Sequence, residues 1–324
     1  MALQVGNYSI ALDMHEPSSN VNFISHAHSD HLSGLRKGKG TIASSATIEM
    51  IEAKKGTKLL TVDKPESIEL LNSGHMLGSK QLYIESEEQS CRIVYTGDYQ
   101  MQRSIASEEI EIRKADILLM DSTYPYANIE FEDRDEVMTS IQHYVESRIA
   151  RNVVLFGAYS SGKAQELIKI CNGIGISPLV TEGIAKMNKI YGDHGIGLSY
   201  GVFSAGELQQ NCGTFAAVVE QHRLAEARDS ISRMCKVPVL TAVASGFARM
   251  MKFDTDVQFT LSDHADFRQA LEYVDRCSPE IVYTYGSGAG PLAKNLKANG
   301  CDARPIASTR SFDIPSLSKQ IEKT

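Results

Sequence analysis

The run His26-Ala27-His28-Ser29-Asp30-His31 constrains this 324-residue chain more than any other stretch. Three imidazoles and a carboxylate within six residues are too polar to be buried for packing alone. The preceding Val21-Asn22-Phe23-Ile24-Ser25 is half apolar and predicts a short buried strand running into a loop. On an extended backbone His26 and His28 point the same way, and a turn carries Asp30 and His31 further round. That spacing predicts a metal loop rather than a His-rich solvated one. Imidazole and carboxylate donors suit Zn2+, and also Fe2+ or Mn2+.

The bulk numbers narrow the setting. With 42% hydrophobic and 23% charged residues, the composition is that of a soluble globular enzyme, and the length predicts about two domains. A net charge of −7 argues against adhesion to nucleic acid through a broad basic surface. It leaves room for a local basic groove or a metal that meets phosphate directly. Six cysteines, at 91, 171, 212, 235, 277 and 301, form no CxxC pair, which predicts buried free thiols in a reducing compartment. Residues 1–7 lack a basic region followed by an apolar run, and Val237 to Ala248 is too short to span a bilayer. The expectation is a cytoplasmic protein with no membrane partner.

Taken in order, residues 8–13 predict a strand ending at Asp13. Asp13 is either a hydrogen-bond acceptor behind the metal loop or a turn residue. Ser45 is the expected cap of a helix reaching about Lys55. Short strands are expected at 58–62, 68–72, 81–85, 92–96 and 116–120. His75 lies in Ser73-Gly74-His75-Met76, Asp98 in Thr96-Gly97-Asp98-Tyr99, and Asp121 at the end of an apolar strand. Taken singly, these are weak signals. After Pro125, Val137, Ile141, Tyr144, Val145 and Ile149 fall at helical spacing. Strands at 152–156, 178–181, 214–219 and 237–243 then alternate with helices, one of them 164–172, predicting a parallel sheet. His264 stands in Ser262-Asp263-His264-Ala265-Asp266, ahead of a helix that Asp266 and Gln269 would cap. A strand follows at 281–285, and a last helix opened by Pro291 and closed by Gly300.

Together, His26, His28, Asp30, His31, His75, Asp98, Asp121 and His264 form an ordered series at strand-to-loop junctions. This resembles the metallo-β-lactamase superfamily and its β-CASP nuclease family, over essentially the whole chain. The segment 156–167, Phe-Gly-Ala-Tyr-Ser-Ser-Gly-Lys-Ala-Gln-Glu-Leu, also looks like that family's cap-domain signature. The likeness is greatest to short prokaryotic members, both ligase-associated exonuclease-like proteins and archaeal relatives of the messenger-RNA 3′-end processing nuclease. The resemblance implies an α/β fold: a metallo-β-lactamase αββα sandwich from residues 1–123 and 247–324, with an inserted β-CASP parallel-sheet domain at 124–246. It implies one metal held by His26, His28 and His75, and a second held by Asp30 and His31, with Asp98 bridging. It implies His264 as general acid oriented by Asp121, these two counting with Asp30 as the catalytic set. One or two Zn2+ per chain are expected. The expected substrate is RNA or single-stranded DNA, hydrolysed in a cleft between the domains, with RNA processing the preferred reading. A homodimer is compatible with the sequence. Where family members with a full second metal site carry a final His, this chain has Tyr285, which predicts a weaker second site.

Gly157 to Lys163 nearly fits a phosphate-binding loop, but Ala164 stands where a Mg2+-binding hydroxyl is needed. ATP hydrolysis is therefore set aside, while Ser160, Ser161 and Lys163 at a helix N-terminus remain expected phosphate contacts. Two rivals share the metal loop: a metallo-hydrolase of a small ester or thioester, and a nucleic-acid-binding protein with a degenerate metal site. The insertion, Asp121 and His264 argue against the first, and the intact first-metal set against the second.

Overall fold

A computed structural model describes residues 2–35, 38–86, 90–203, 213–306 and 312–313. The chain divides into two compact units. One comprises residues 1–103, 108–130 and 264–324, and the other residues 104–107 and 131–263.

The first unit is built on two sheets. One runs β17 (Phe312–Asp313), β1 (Ala2–Val5), β2 (Tyr8–Leu12), β3 (Val21–Phe23), β4 (Gly40–Ile42). The other runs β16 (Ala303–Pro305), β15 (Ile281–Tyr285), β8 (Ile117–Asp121), β7 (Cys91–Tyr95), β6 (Lys80–Ser86), β5 (Ile68–Asn72). Their facing sides share one core. Leu3, Ile10, Leu12 and Phe23 pack with Leu82, Ile84, Ile93, Ile117, Leu119 and Ile281. The alternate residues of the second sheet, among them Val94, Leu118, Met120 and Val282, pack in a separate core with Tyr273 and Val274 of α6 (Phe267–Cys277) and Leu292 and Leu296 of α7 (Ala289–Ala298). Helix α1 (Ser45–Lys55) buries Ala46, Thr47, Met50 and Ile51. This period-two division of the second sheet's strands between two cores is what one face of an αββα sandwich requires.

The second unit is a six-stranded sheet in the order β11 (Gly201–Val202), β10 (Leu179–Val180), β12 (Ala216–Glu220), β9 (Val153–Ala158), β13 (Val239–Ala244), β14 (Val257–Phe259). Every strand pair in it is parallel. Strand β9 is buried throughout. Helices α2 (Arg134–Ile149), α3 (Lys163–Asn172) and α4 (Glu182–Asp193) contribute Ile141, Leu167 and Ile184 to one core. Helix α5 (Leu224–Cys235) contributes Leu224 and Ile231 to another.

Three details differ from the sequence reading. No strand forms at 58–62, where Thr61 makes only an isolated bridge to Thr41. Ser44, not Ser45, caps α1, its hydroxyl accepting the Thr47 amide. The parallel-sheet unit runs to Asp263, past the expected limit at 246, because β13 pairs with β14.

Candidate metal centre

Each cluster residue sits where a strand gives way to a loop. Buried β3 delivers His26 and Ala27, both fully buried, and the short 3-10 turn Ser29–Gly34 then carries Asp30 and His31. β5 leads to His75, β7 to Asp98, and β8 ends on Asp121 itself. A Cβ on Gly97, which has φ +55°, would lie 2.6 Å from the Ser25 Cβ. Only glycine lets the Asp98 loop lie so near the histidine loop. His264 is set two residues ahead of the α6 cap. Asp266 accepts the Gln269 amide at 2.8 Å, and the Gln269 side chain accepts the Asp266 amide in return. The Gln100 amide nitrogen also donates to the His264 carbonyl.

Two groups result. His26, His28, His75 and Asp98 each offer a ligand atom within 4.8 Å of the others, as do Asp98, Asp121 and His264. Asp98 joins them: its Oδ2 lies 3.5 Å from His26 Nε2, 3.8 Å from His75 Nε2 and 3.9 Å from His264 Nε2. His31 Nε2 is closer still, at 3.2 Å. Asp30 stands apart, its side chain 78% exposed and 3.9 Å from His31 Nε2.

Asp13 organises the back of the cluster. Its carboxylate accepts the Ser25 amide at 2.7 Å and hydroxyl at 2.6 Å, His31 Nδ1 at 2.9 Å and the Tyr95 hydroxyl at 2.9 Å. Those partners hold Asp13 in the left-handed region, φ 56°, which a non-glycine residue occupies only when its surroundings over-determine it. Because Ser25 donates to Asp13, its oxygen accepts from His26 Nδ1 at 3.0 Å. His26 Nε2 is thereby left as a buried lone pair with no hydrogen-bond partner. The protonation pattern agrees. Burial, then His31 and His75, hold the His26 pKa well below its ordinary value. Burial opposes the charged form of His31, yet Asp98 and Asp13 raise its pKa well above the usual range. Asp98 stays ionised: desolvation is outweighed by His31 and His264, and its pKa falls well below normal. A neutral buried imidazole whose Nε2 has no hydrogen-bond partner, beside two more imidazoles and a carboxylate, is a donor set that fits a divalent cation.

His264 Nδ1 lies 3.2 Å from Asp121 Oδ2, and Thr123 donates to Asp121 Oδ1 at 3.0 Å. The carboxylate can only accept, so the hydrogen sits on Nδ1 and Nε2 faces Asp98. Tyr285 does not face the cluster as a ligand. Burial, then Asp121 and Asp98, push its phenol pKa well above normal, and the neutral hydroxyl donates to the Gly97 carbonyl at 2.9 Å. Its ring stacks on Tyr95 at 5.0 Å. Ser25 and Tyr95 escaped the sequence reading; a lone Ser before a His motif and a strand Tyr carry no signal of their own.

The expected phosphate contacts are placed differently. Lys163 and Ser161 are buried. The Lys163 ammonium binds Glu166 at 2.9 Å and Asp263 at 2.6 Å, and Arg134 also pairs with Glu166. Lys163 thus lies in a buried ion-pair network within the second unit, its charge met by two carboxylates.

A two-sheet sandwich with a His–Asp cluster at its strand ends defines the metallo-β-lactamase class of fold. The chain belongs to the β-CASP family of that superfamily. It is 26% identical to a "Probable DNA ligase" of Opitutus terrae, over 94% of this chain and 30% of that protein. It is 31% identical to endoribonuclease YSH1 of Kluyveromyces lactis, over 31% of this chain and 13% of that protein. It is also 31% identical to an uncharacterized protein in the lig 3′ region of Acidianus ambivalens, over 40% of this chain and 89% of that one. The chain thus spans less than a third of the first two relatives. A crystal structure of a protein of unknown function from Enterococcus faecalis shares the fold, with TM-score 0.61 and 14% identity over 90% of this chain and 80% of that one. No family model matches the chain.

Proposed function

We propose that the chain is a metal-dependent phosphodiesterase acting on RNA or single-stranded DNA, with RNA processing the preferred role and residues 131–263 forming the β-CASP insertion. The observation that carries this reading is the sharing of Asp98 between a three-imidazole group and the His264–Asp121 pair. A small ester needs only the first group. A proton donor on its own carboxylate, set beside that group, suits a poor leaving group such as a sugar oxygen. The relatives named as an endoribonuclease and a probable DNA ligase support a nucleic-acid substrate.

His26, His28, His75 and Asp98 would hold the first cation, zinc by preference for its donor set. His31 and Asp98, with exposed Asp30 beside them, would border a weaker second position. A divalent cation here would polarise a phosphoryl oxygen and make water more acidic. Hydrolysis adds water across the P–O bond: hydroxyl goes to phosphorus, and the leaving sugar oxygen needs a proton. In its imidazolium form His264 supplies that proton from Nε2, while the Nδ1–H bond to Asp121 fixes the ring and stabilises the charge. Asp13 and Ser25 keep His31 and His26 in the tautomers that leave Nε2 toward the cluster.

The test is digestion of end-labelled RNA and single-stranded DNA of equal sequence, with Zn2+ or Mn2+, by wild type and His264→Ala. Metal-dependent cleavage by wild type alone is expected. Equal cleavage by both sinks the assignment of His264, and no cleavage with bound metal favours the degenerate-site reading.

A further inference from the structure

Helix α1 is tied at both ends to the loops that carry the first group of histidines. At its start, Ser44 and Thr47 both donate to the Gly78 carbonyl, at 2.6 and 3.0 Å. Gly78 closes the turn that begins at His75, and its amide is held by Glu108 at 3.0 Å. A Cβ on Gly78 would fall 2.6 Å from Ser44 Oγ and 2.7 Å from the Ala46 Cβ, so the turn packs directly on the helix start. At the other end, Lys54 Nζ donates to the Ala27 carbonyl at 2.9 Å. Ala27 is fully buried and separates His26 from His28. Its carbonyl belongs to the peptide unit that ends at the His28 Cα, so holding that oxygen fixes the plane from which His28 departs. The two loops meet where His28 Nδ1 lies 3.2 Å from His75 Nε2.

Lys54 is exposed overall, yet its ammonium is desolvated enough that burial lowers its pKa to about 8. A surface lysine gains nothing by desolvation unless the contact does something for the fold or the site. The helix itself cannot slide: Met50 and Ile51 are fully buried, and Gly56 ends it in a left-handed turn bonded to Glu52.

We propose that α1 is a strut setting the separation of the His26–His28 and His75 loops, with Lys54 the positioning residue that acts on His28 through the Ala27 carbonyl. This rests on reading the cluster as a metal site. Lys54 acts through the Ala27 carbonyl on where the ligand atoms stand, and outer partners of this kind change metal affinity by about 10- to 100-fold.

The experiment measures Zn2+ and Mn2+ affinity by competition against a chromophoric chelator, and the melting of the metal-free protein. Wild type is compared with Lys54→Met, which keeps the stem and loses the donor, with Lys54→Arg, which restores a donor, and with Lys55→Met as control. Lys54→Met is expected to weaken metal binding about 10- to 100-fold. Lys54→Arg should recover most of it, and Lys55→Met none of the loss. Metal-free melting should be unchanged in all. Wild-type affinity in Lys54→Met overturns the strut alone, as does a loss accompanied by an equal fall in metal-free melting. Absence of binding by wild type overturns the metal site itself, and the strut with it.

Discussion

His264 and Asp121 make the sharpest residue-scale prediction. Removing a positioned acid costs roughly 10²- to 10⁴-fold in rate, so His264→Ala should lose that much in single-turnover cleavage while metal content stays at the wild-type level. Asp121→Asn keeps the shape but loses the charge that stabilises the imidazolium, and should move the alkaline limb of the rate profile to lower pH as well as lower the rate. An unchanged profile would remove Asp121 from that role. Residues were legible in proportion to how local their signal is. His26, His28 and His31 declare themselves by spacing. Asp13 left two readings open, because nothing near it in sequence shows that Ser25, His31 and Tyr95 converge on it. The pairing of Lys163 was hidden for the same reason: Asp263, which meets its charge, lies 100 residues away.

At the scale of elements, the α6 cap read well and the 58–62 strand did not. Asp266 and Gln269 form the expected capping box on α6. Asp266→Ala should cost about 1 kcal/mol in chemical denaturation. Because His264 is two residues upstream, it should also lower activity beyond what the stability loss explains. The 58–62 segment has strand composition but no neighbour with which to form a ladder beyond Thr41. A composition signal cannot supply that neighbour.

Strands β7 and β8 carry a pH prediction. Asp116 accepts the Arg92 amide at 2.7 Å and its guanidinium at 2.6 Å. Desolvation opposes these bonds but loses to them, and the Asp116 pKa falls below its ordinary value. A carboxylate depressed in the folded state stabilises fully above its unfolded pKa, and that contribution fades as pH falls through the ordinary carboxylate range and below. Asp116→Asn should therefore be less stable than wild type near neutrality, with the gap closing in acid. Parallel stability curves for the two proteins would exclude the pair as a source of acid sensitivity.

For the molecule as a whole, every residue of both groups lies in the first unit. A cation at 100 times its dissociation constant stabilises the state that binds it by about 2.7 kcal/mol. Zn2+ or Mn2+ should therefore slow amide exchange in β3, β7 and β8 and leave β9, β12 and β13 as they are; a chelator should reverse the effect. Equal protection across both units would mean that the metal acts elsewhere. The parallel sheet was legible from strand–helix alternation, and the two-layer sandwich from the resemblance that the His–Asp series carries. The limit of the second unit was not, because β14 is three residues long and joins that sheet only by pairing with β13. No helix among the described residues is long and apolar enough to cross a membrane.

The placement of β15 has a consequence for how the protein is made. Strand β15 pairs with β8 on one side and β16 on the other, so an inner position of the second sheet is filled only after the nested unit has been made. His264 also leaves the ribosome only after the whole of the nested unit. At about 5–20 residues per second, making that nested unit takes several seconds or more, during which the histidine loop has been made and His264 has not. A chain at that stage carries the histidine loop without the proton donor proposed above, and gains it only once residue 264 has been added.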